Sequence, residues 1–281
     1  LTMKSSILSK FGLIFIATAL TIGLLSGAAI TVNSPGGFNA GLTRAVGTSD
    51  GPGGLLRLGS STTCDSLDPA RTFDPWCAVV HRTFSRNLMS FAGKPGEQGL
   101  VIVPDLASDL PVTNADKTSW TFKLRPDALW SDGTNVTSTD VKYSIQRLFD
   151  DSIQSPIALD TLCLLSTCNA LKPDYKGPYV SPTEDLVSIV TPDENTIVFN
   201  LNRSFYEFNR LLATPQFAPI QMTRDISLRA AGSTYAMNPA SNGPFVLTID
   251  QVDLQYSFSR YPNIVFLKVP FGGIHMASGA I

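Results

Sequence analysis

The sequence predicts a mixed α/β fold, and three observations carry that prediction. Trp120, Phe122 and Leu124 alternate with Thr121, Lys123 and Arg125, the period of two that gives a strand one buried face. Val80, Phe84 and Leu88, and again Val141, Ile145 and Phe149, recur every fourth residue, the spacing of a helix with one apolar face. Strand, helix, hairpin and helix signals then alternate irregularly without an internal repeat, which favours α/β over an all-β sandwich.

The N-terminal 30 residues stand apart. Lys4 and Lys10 precede an apolar run, Phe11 to Leu25, that ends in Ser26, Gly27, Ala28 and Ala29, the order of a secretory signal peptide with cleavage expected near Ala28. If retained, uncharged Phe11 to Ile30 is long enough to act as an N-terminal membrane segment, the one route to membrane association the sequence offers. Residues 31–54, rich in Gly, Ser, Thr and Asn, read as a flexible linker, so folding is expected from Leu55. The leader explains part of a low charged fraction, 16% against about 25% in an average soluble domain. A net charge of −2 supplies no basic field, which excludes nucleic acid as a partner.

Export implies an oxidising compartment, in which Cys64, Cys77, Cys163 and Cys168 can pair in three ways. Cys163 with Cys168 is the preferred local pair, and free buried thiols are the alternative. The chain has only His81 and His275 to join them, neither near the thiols in sequence, so no metal site and no cofactor are expected.

From Leu55 the elements follow in order. Leu55 to Gly59 alternates as a short strand, and Ser66-Leu67-Asp68-Pro69 is a polar turn. Trp76 to Met89 carries the first helical stripe, with His81 beside it as a surface or supporting residue. Gly93 to Gly99 is a loop, Asn114 to Lys117 a turn, and Trp120 to Arg125 the half-buried strand. Asp132-Gly133 is a tight turn, and Thr137 to Asp140 opens a helix with a hydroxyl at the N-cap and a carboxylate three residues on. Cys163 to Tyr179 reads as loop from its prolines. Leu186 to Val190 and Thr196 to Leu201 read as a hairpin with a five-residue loop, Phe205 to Leu212 as a short helix, and Phe245 to Ile249 with Leu254 to Ser259 as a last strand pair.

Catalytic signatures are absent: there is no G-x-S-x-G, H-E-x-x-H, phosphate loop or G-x-G-x-x-G. Asp132 and Asp140 are explained by their turn and cap without an acid–base role. No catalytic residue is expected, and the chain is not read as an enzyme.

Several segments resemble, in order, the extracytoplasmic solute-binding proteins of ABC importers, specifically the bacterial peptide/nickel-binding family that includes oligopeptide and dipeptide receptors. The resemblance runs through Ser66-Leu67-Asp68-Pro69, Val103-Pro104-Asp105-Leu106-Ala107, Trp120 to Arg125, Trp130-Ser131-Asp132-Gly133-Thr134, Val136-Thr137, Asp140 to Ser144 and Asn242-Gly243-Pro244-Phe245. It implies a periplasmic-binding-protein-like clamshell of the large multi-lobe type, here as its N-terminal portion. The implied layout is the first part of lobe I at 55–86, lobe II at 87–220, an incomplete second part of lobe I at 221–263, and a tail outside the family at 264–281. It also implies capture of peptides or similar small solutes at the cell envelope, with ABC permease subunits as partners. By position Arg71, Thr72, Phe73, Asp74 and Trp76 are the expected ligand-binding residues, with Trp76 alternatively anchoring the helix that follows. A lipobox cysteine is missing after Leu25-Ser26-Gly27, where Ala28 stands. The short chain and unfamiliar tail suggest a truncated or frame-shifted copy. Two other readings stand beside this one: a secreted hydrolase, which would need His81 beside a nucleophile, and a gene remnant without function.

Overall fold

The computed structural model describes residues 55–60, 62–251, 255–260 and 273–278, which belong to one unit, Gly51–Ile281. The expected signal peptide or membrane segment (1–30) and linker (31–54) lie outside the described residues. Among the described residues no helix is long and apolar enough to cross a membrane.

Strand β1, Leu55–Ser60, opens the fold where alternation predicts it. Helix α1, Pro75–Phe84, begins at a strong stop-start signal: Asp74 accepts from the amides of Trp76 and Cys77, and Pro75 fills the first helical position, where a missing N–H costs nothing. It ends at Phe84 and not at Met89 as the periodicity predicts. The amides of Asn242 and Gly243 both donate to the Phe84 carbonyl, at 3.0 and 2.9 Å, and Ser85 turns extended. Gly243 is required there, because a Cβ would lie 2.6 Å from the Phe84 carbonyl carbon. Met89 instead opens β2, Met89–Phe91, antiparallel to β3, Ile102–Pro104. His81 is buried at 2% exposure, so of the two placements expected from sequence, surface or supporting, the surface one does not hold.

Strand β4, Val112–Thr113, pairs with β5, Ser119–Lys123, across the predicted Asn114 to Lys117 turn. One face of β5 is buried, as its period of two requires: Trp120 and Phe122 are in the core, and Leu124 follows them in. The Asp132-Gly133 turn forms with Gly133 at φ +88°, and Asp132 accepts from the Thr134 amide and hydroxyl. Helix α2, Ser138–Arg147, starts on a complete capping box between Thr137 and Asp140.

A one-turn helix α3, Leu159–Leu162, leads to a two-residue hairpin, β6 (Cys168–Asn169) and β7 (Lys172–Pro173), inside the stretch expected to be loop. The predicted hairpin exists with different bounds. Strands β8, Ile189–Asp193, and β9, Thr196–Asn200, run to within Glu194-Asn195 of each other, with a bulge between Val190 and Asp193. Pro192 is tolerated because β8 is an edge strand of the sheet β4-β5-β9-β8. The buried face of this sheet packs with Val141 and Ile145 of α2 in the main core, which also holds Trp130, Phe208 and Phe217.

Helix α4 is a single turn, Phe208–Leu211, shorter than the predicted 205–212. Helix α5, Met222–Ala230, was not predicted. Strands β10, Phe245–Gln251, and β11, Gln255–Arg260, form the expected antiparallel pair. Strand β12, Gly273–Ser278, comes from the segment expected to be a tail, yet it sits inside the sheet: the order is β1-β12-β11-β10, with β12 parallel to β1 and antiparallel to β11. A second, smaller core of Cys64, Leu67, Cys77, Val80, Phe84, Phe245 and Phe258 joins α1 to this sheet.

Candidate ligand-binding segment

The segment between β1 and α1 is tied down from several sides. A disulfide joins Cys64 to Cys77, with Cα atoms 4.6 Å apart, and closes the loop that holds the expected binding residues. Within it Asp65 acts as a staple: its carboxylate accepts from the amides of Ser66 (2.9 Å), Phe73 (2.7 Å) and Asp74 (3.0 Å) and from the Thr72 hydroxyl (2.8 Å). Burial works to raise the Asp65 pKa, but these bonds, led by Phe73, outweigh it and hold the carboxyl below the usual carboxylate range. The Gln216 side chain donates to the Thr72 carbonyl at 2.6 Å.

The five expected residues therefore fall into different places. Phe73 is 78% exposed, and Arg71 is also exposed, with its guanidinium donating to the Ser152 carbonyl at 2.5 Å. Thr72 is buried with its hydroxyl committed to Asp65, and one Asp74 carboxylate oxygen caps α1. Trp76 packs against the smaller core, the anchoring alternative. Sequence reasoning passed over Asp65; its signal was a carboxylate immediately ahead of the Ser66-Leu67-Asp68-Pro69 turn, where it can accept local amides.

Beneath the segment lies a buried ionic network. Asp68 caps the short Pro69–Arg71 turn and meets Arg147 of α2 in a two-pronged ion pair, at 3.1 and 2.5 Å. Arg147 also lies 3.5 Å from Asp225 of α5 and donates to the Tyr179 hydroxyl. Tyr143 and Tyr179 donate to Asp225 at 2.8 and 2.5 Å. Burial alone would lower the Arg147 pKa; the Asp68 carboxylate more than reverses this and keeps the guanidinium charged. Burial raises the Tyr143 and Tyr179 phenols, which stay protonated as donors.

One face of α1, with Ala78, Val79 and Arg82, lines a cavity of about 560 Å³ together with Arg86, Asp105 and Pro244. Arg86 and Asp105 are ion-paired there. Burial, with Arg125 and Arg82 nearby, still lowers the Arg86 pKa to about 10. His81 donates through its Nε2–H to the Ser66 carbonyl, 2.9 Å away, while its Nδ1 is buried without a partner. Burial pushes its pKa down, against the Ser66 carbonyl and the Asp68 and Asp65 carboxylates, so the imidazole is held toward its neutral form. The hydroxyl–imidazole–carboxylate chain a hydrolase would need is not formed at this residue.

Cys163 and Cys168 also form a disulfide, with Cα atoms 5.7 Å apart. The one cluster of metal-ligand side chains among the described residues, Cys64, Asp65 and Cys77, has both sulfurs bonded to each other.

The chain is 28% identical over 200 residues to the probable D,D-dipeptide-binding periplasmic protein DdpA of Escherichia coli K12, covering 70% of this chain and 34% of that protein. It is 32% identical over 183 residues to the periplasmic murein peptide-binding protein MppA of the same organism, covering 65% and 31%. The chain thus spans about a third of the length of these curated relatives. Among solved structures, clavulanic acid biosynthesis oligopeptide binding protein 2 superposes with a TM-score of 0.73 at 35% identity, covering 83% of this chain and 41% of that one. The profile of the bacterial extracellular solute-binding proteins, family 5 Middle, matches residues 101–276, reaching into the stretch from 264 that was expected to stand outside the family. With more than half of its length matched, the chain belongs to the bacterial extracellular solute-binding proteins, family 5.

Proposed function

We propose that this chain takes part in capturing peptides or similar small solutes outside the cytoplasm for an ABC importer, by binding without catalysis. The observation that carries the reading is Phe73: a phenylalanine 78% exposed on a loop closed by a disulfide and gathered on one carboxylate. Binding residues are disproportionately carried on loops that a rigid scaffold positions. In this reading Phe73 and Arg71 contact the solute, while Thr72, Asp74 and Trp76 set the loop's shape. The family membership and the peptide-binding relatives support it.

We further propose that the smaller core around Val80, Phe84, Phe245 and Phe258 belongs to lobe I, in two parts at 55–86 and 221–263, and that the main core, apart from Ala70 and Ala240, belongs to lobe II at 87–220. Delivery to permease subunits and residence at the outer face of the cell envelope complete the proposal. Calorimetric titration of the folded chain with a mixture of short peptides tests it. Saturable heat is expected, weakened at least about fivefold by Phe73→Ala, as for an aromatic contact worth more than about 1 kcal/mol. No heat from folded protein contradicts it.

A further inference from the structure

A second cavity, of about 580 Å³, contains none of residues 71–76 in its wall. Its lining includes Tyr143 of α2, Tyr175, Tyr179, Glu184 and Asp185 of the loop between β7 and β8, and Arg229 of α5. That volume is in the range of small-molecule sites.

Three tyrosines line one cavity, and Tyr179 already holds two cations over its ring. The Arg229 guanidinium carbon lies 3.3 Å from its ring centroid and that of Arg147 lies 5.7 Å away. Tyr143 and Tyr179 spend their hydroxyls on Asp225. Tyr175 does not: it is 7% exposed, and its hydroxyl is buried without a hydrogen-bond partner. Buried hydroxyls in folded proteins are nearly always paired, so this one calls for a partner that arrives from elsewhere.

The charges around the hydroxyl say which kind of partner. Burial first, then the Asp185, Glu184 and Asp150 carboxylates, push the Tyr175 phenol up, so it stays protonated. Asp150 Oδ2 is also buried without a partner. Lys142 answers Asp185 at 2.7 Å, and Arg229 lies over Tyr179. With Asp225 and Arg147 counted in, four carboxylates against three cations leave one negative charge in excess.

We propose that this cavity binds a small organic cation with N–H donors, an alkylammonium or alkylguanidinium, whose head group donates to the Tyr175 hydroxyl within the field of Glu184 and the tyrosine rings. The site is separate from the peptide reading and stands without it.

Calorimetric titration of the full chain with n-butylammonium, n-butylguanidinium, tetramethylammonium and n-butanol tests this. Saturable binding of an N–H cation is expected, with tetramethylammonium at least about tenfold weaker and no binding of butanol. Tyr175→Phe removes only an unpartnered hydroxyl; it should keep the melting temperature, weaken the N–H cations about tenfold and leave tetramethylammonium unchanged. Glu184→Gln, an exposed change, should weaken all the cations about threefold and decides the matter if Tyr175→Phe fails to fold. Absence of saturable binding by the wild type, butanol or tetramethylammonium binding as tightly as butylammonium, or unchanged butylammonium affinity in the folded variants would overturn the proposal.

Discussion

Single carboxylates hold this fold at sites distant in sequence. Asp68, Asp105 and Asp140 each sit in a segment that resembles the family, and each makes a structural contact: with Arg147, with Arg86, and with the amides of Thr137 and Met222. Asp68→Ala strands the buried Arg147 guanidinium beside Asp225 alone, and should destabilise the protein by about 3–5 kcal/mol. Urea unfolding measures it; a loss under about 1 kcal/mol contradicts the role given to the pair. The resemblance marked Asp68, but its partner lies 79 positions away, and no local spacing could have named it.

His81 makes the second prediction at this scale. Its folded pKa is lowered below 6.5, so below that pH the unfolded chain binds more protons than the folded one. Stability is therefore complete above about pH 6.5 and falls as pH drops from there toward the folded pKa. Asp65 and Asp132, both held below 3.8, add stability that is present above that value and lost as pH falls beneath it. Urea titrations from about pH 7.5 to 5 should show the first decline, and His81→Gln should flatten it. An unchanged slope in the variant assigns the decline elsewhere.

Among elements, legibility followed apolar pattern. The strand at Trp120 to Leu124 and helix α2 were plain because one face of each is buried in the main core. Helix α5 was missed for the opposite reason: Asp225 is its one buried residue, so there is no apolar stripe to read. It is held by polar contacts, the Met222 amide on Asp140 and Asp225 on two tyrosines, and by Met222 and Leu228 packing partly buried against Tyr143, Ile220 and Tyr235. The end of α1 was likewise invisible locally, since Asn242-Gly243 sets it from across the chain. Gly243→Ala places a methyl against the Phe84 carbonyl and should cost about 1–3 kcal/mol. Replacing Cys64 and Cys77 by Ser should cost about 3 kcal/mol if closure of their loop constrains the unfolded chain as chain-entropy arguments hold. Equal stability in either variant contradicts the corresponding contact.

At the scale of the molecule, the motifs that resemble the family build scaffold: a capped helix, a tight turn, two buried ion pairs and the stop of α1. The proposed ligand-facing surface is less legible, because the five expected residues divide between exposed side chains and loop supports, a division set by Asp65 and the disulfide. The main hydrophobic core, which runs through 118–149, is larger than the core that joins α1 to its sheet. Hydrogen exchange should find residues 118–149 more protected than 62–86; equal protection contradicts two cores of unequal stability. Strands β1 and β10 are the edges of their sheet among the described residues, the positions most open to further pairing. The central claim, that the loop before α1 meets the solute, is tested most directly by photo-crosslinking a short benzophenone-bearing peptide to the folded chain. The account predicts crosslinks on the fragment holding Arg71 to Trp76, competed by unlabelled peptide and reduced by Phe73→Ala; competable crosslinks found only outside that fragment would contradict it.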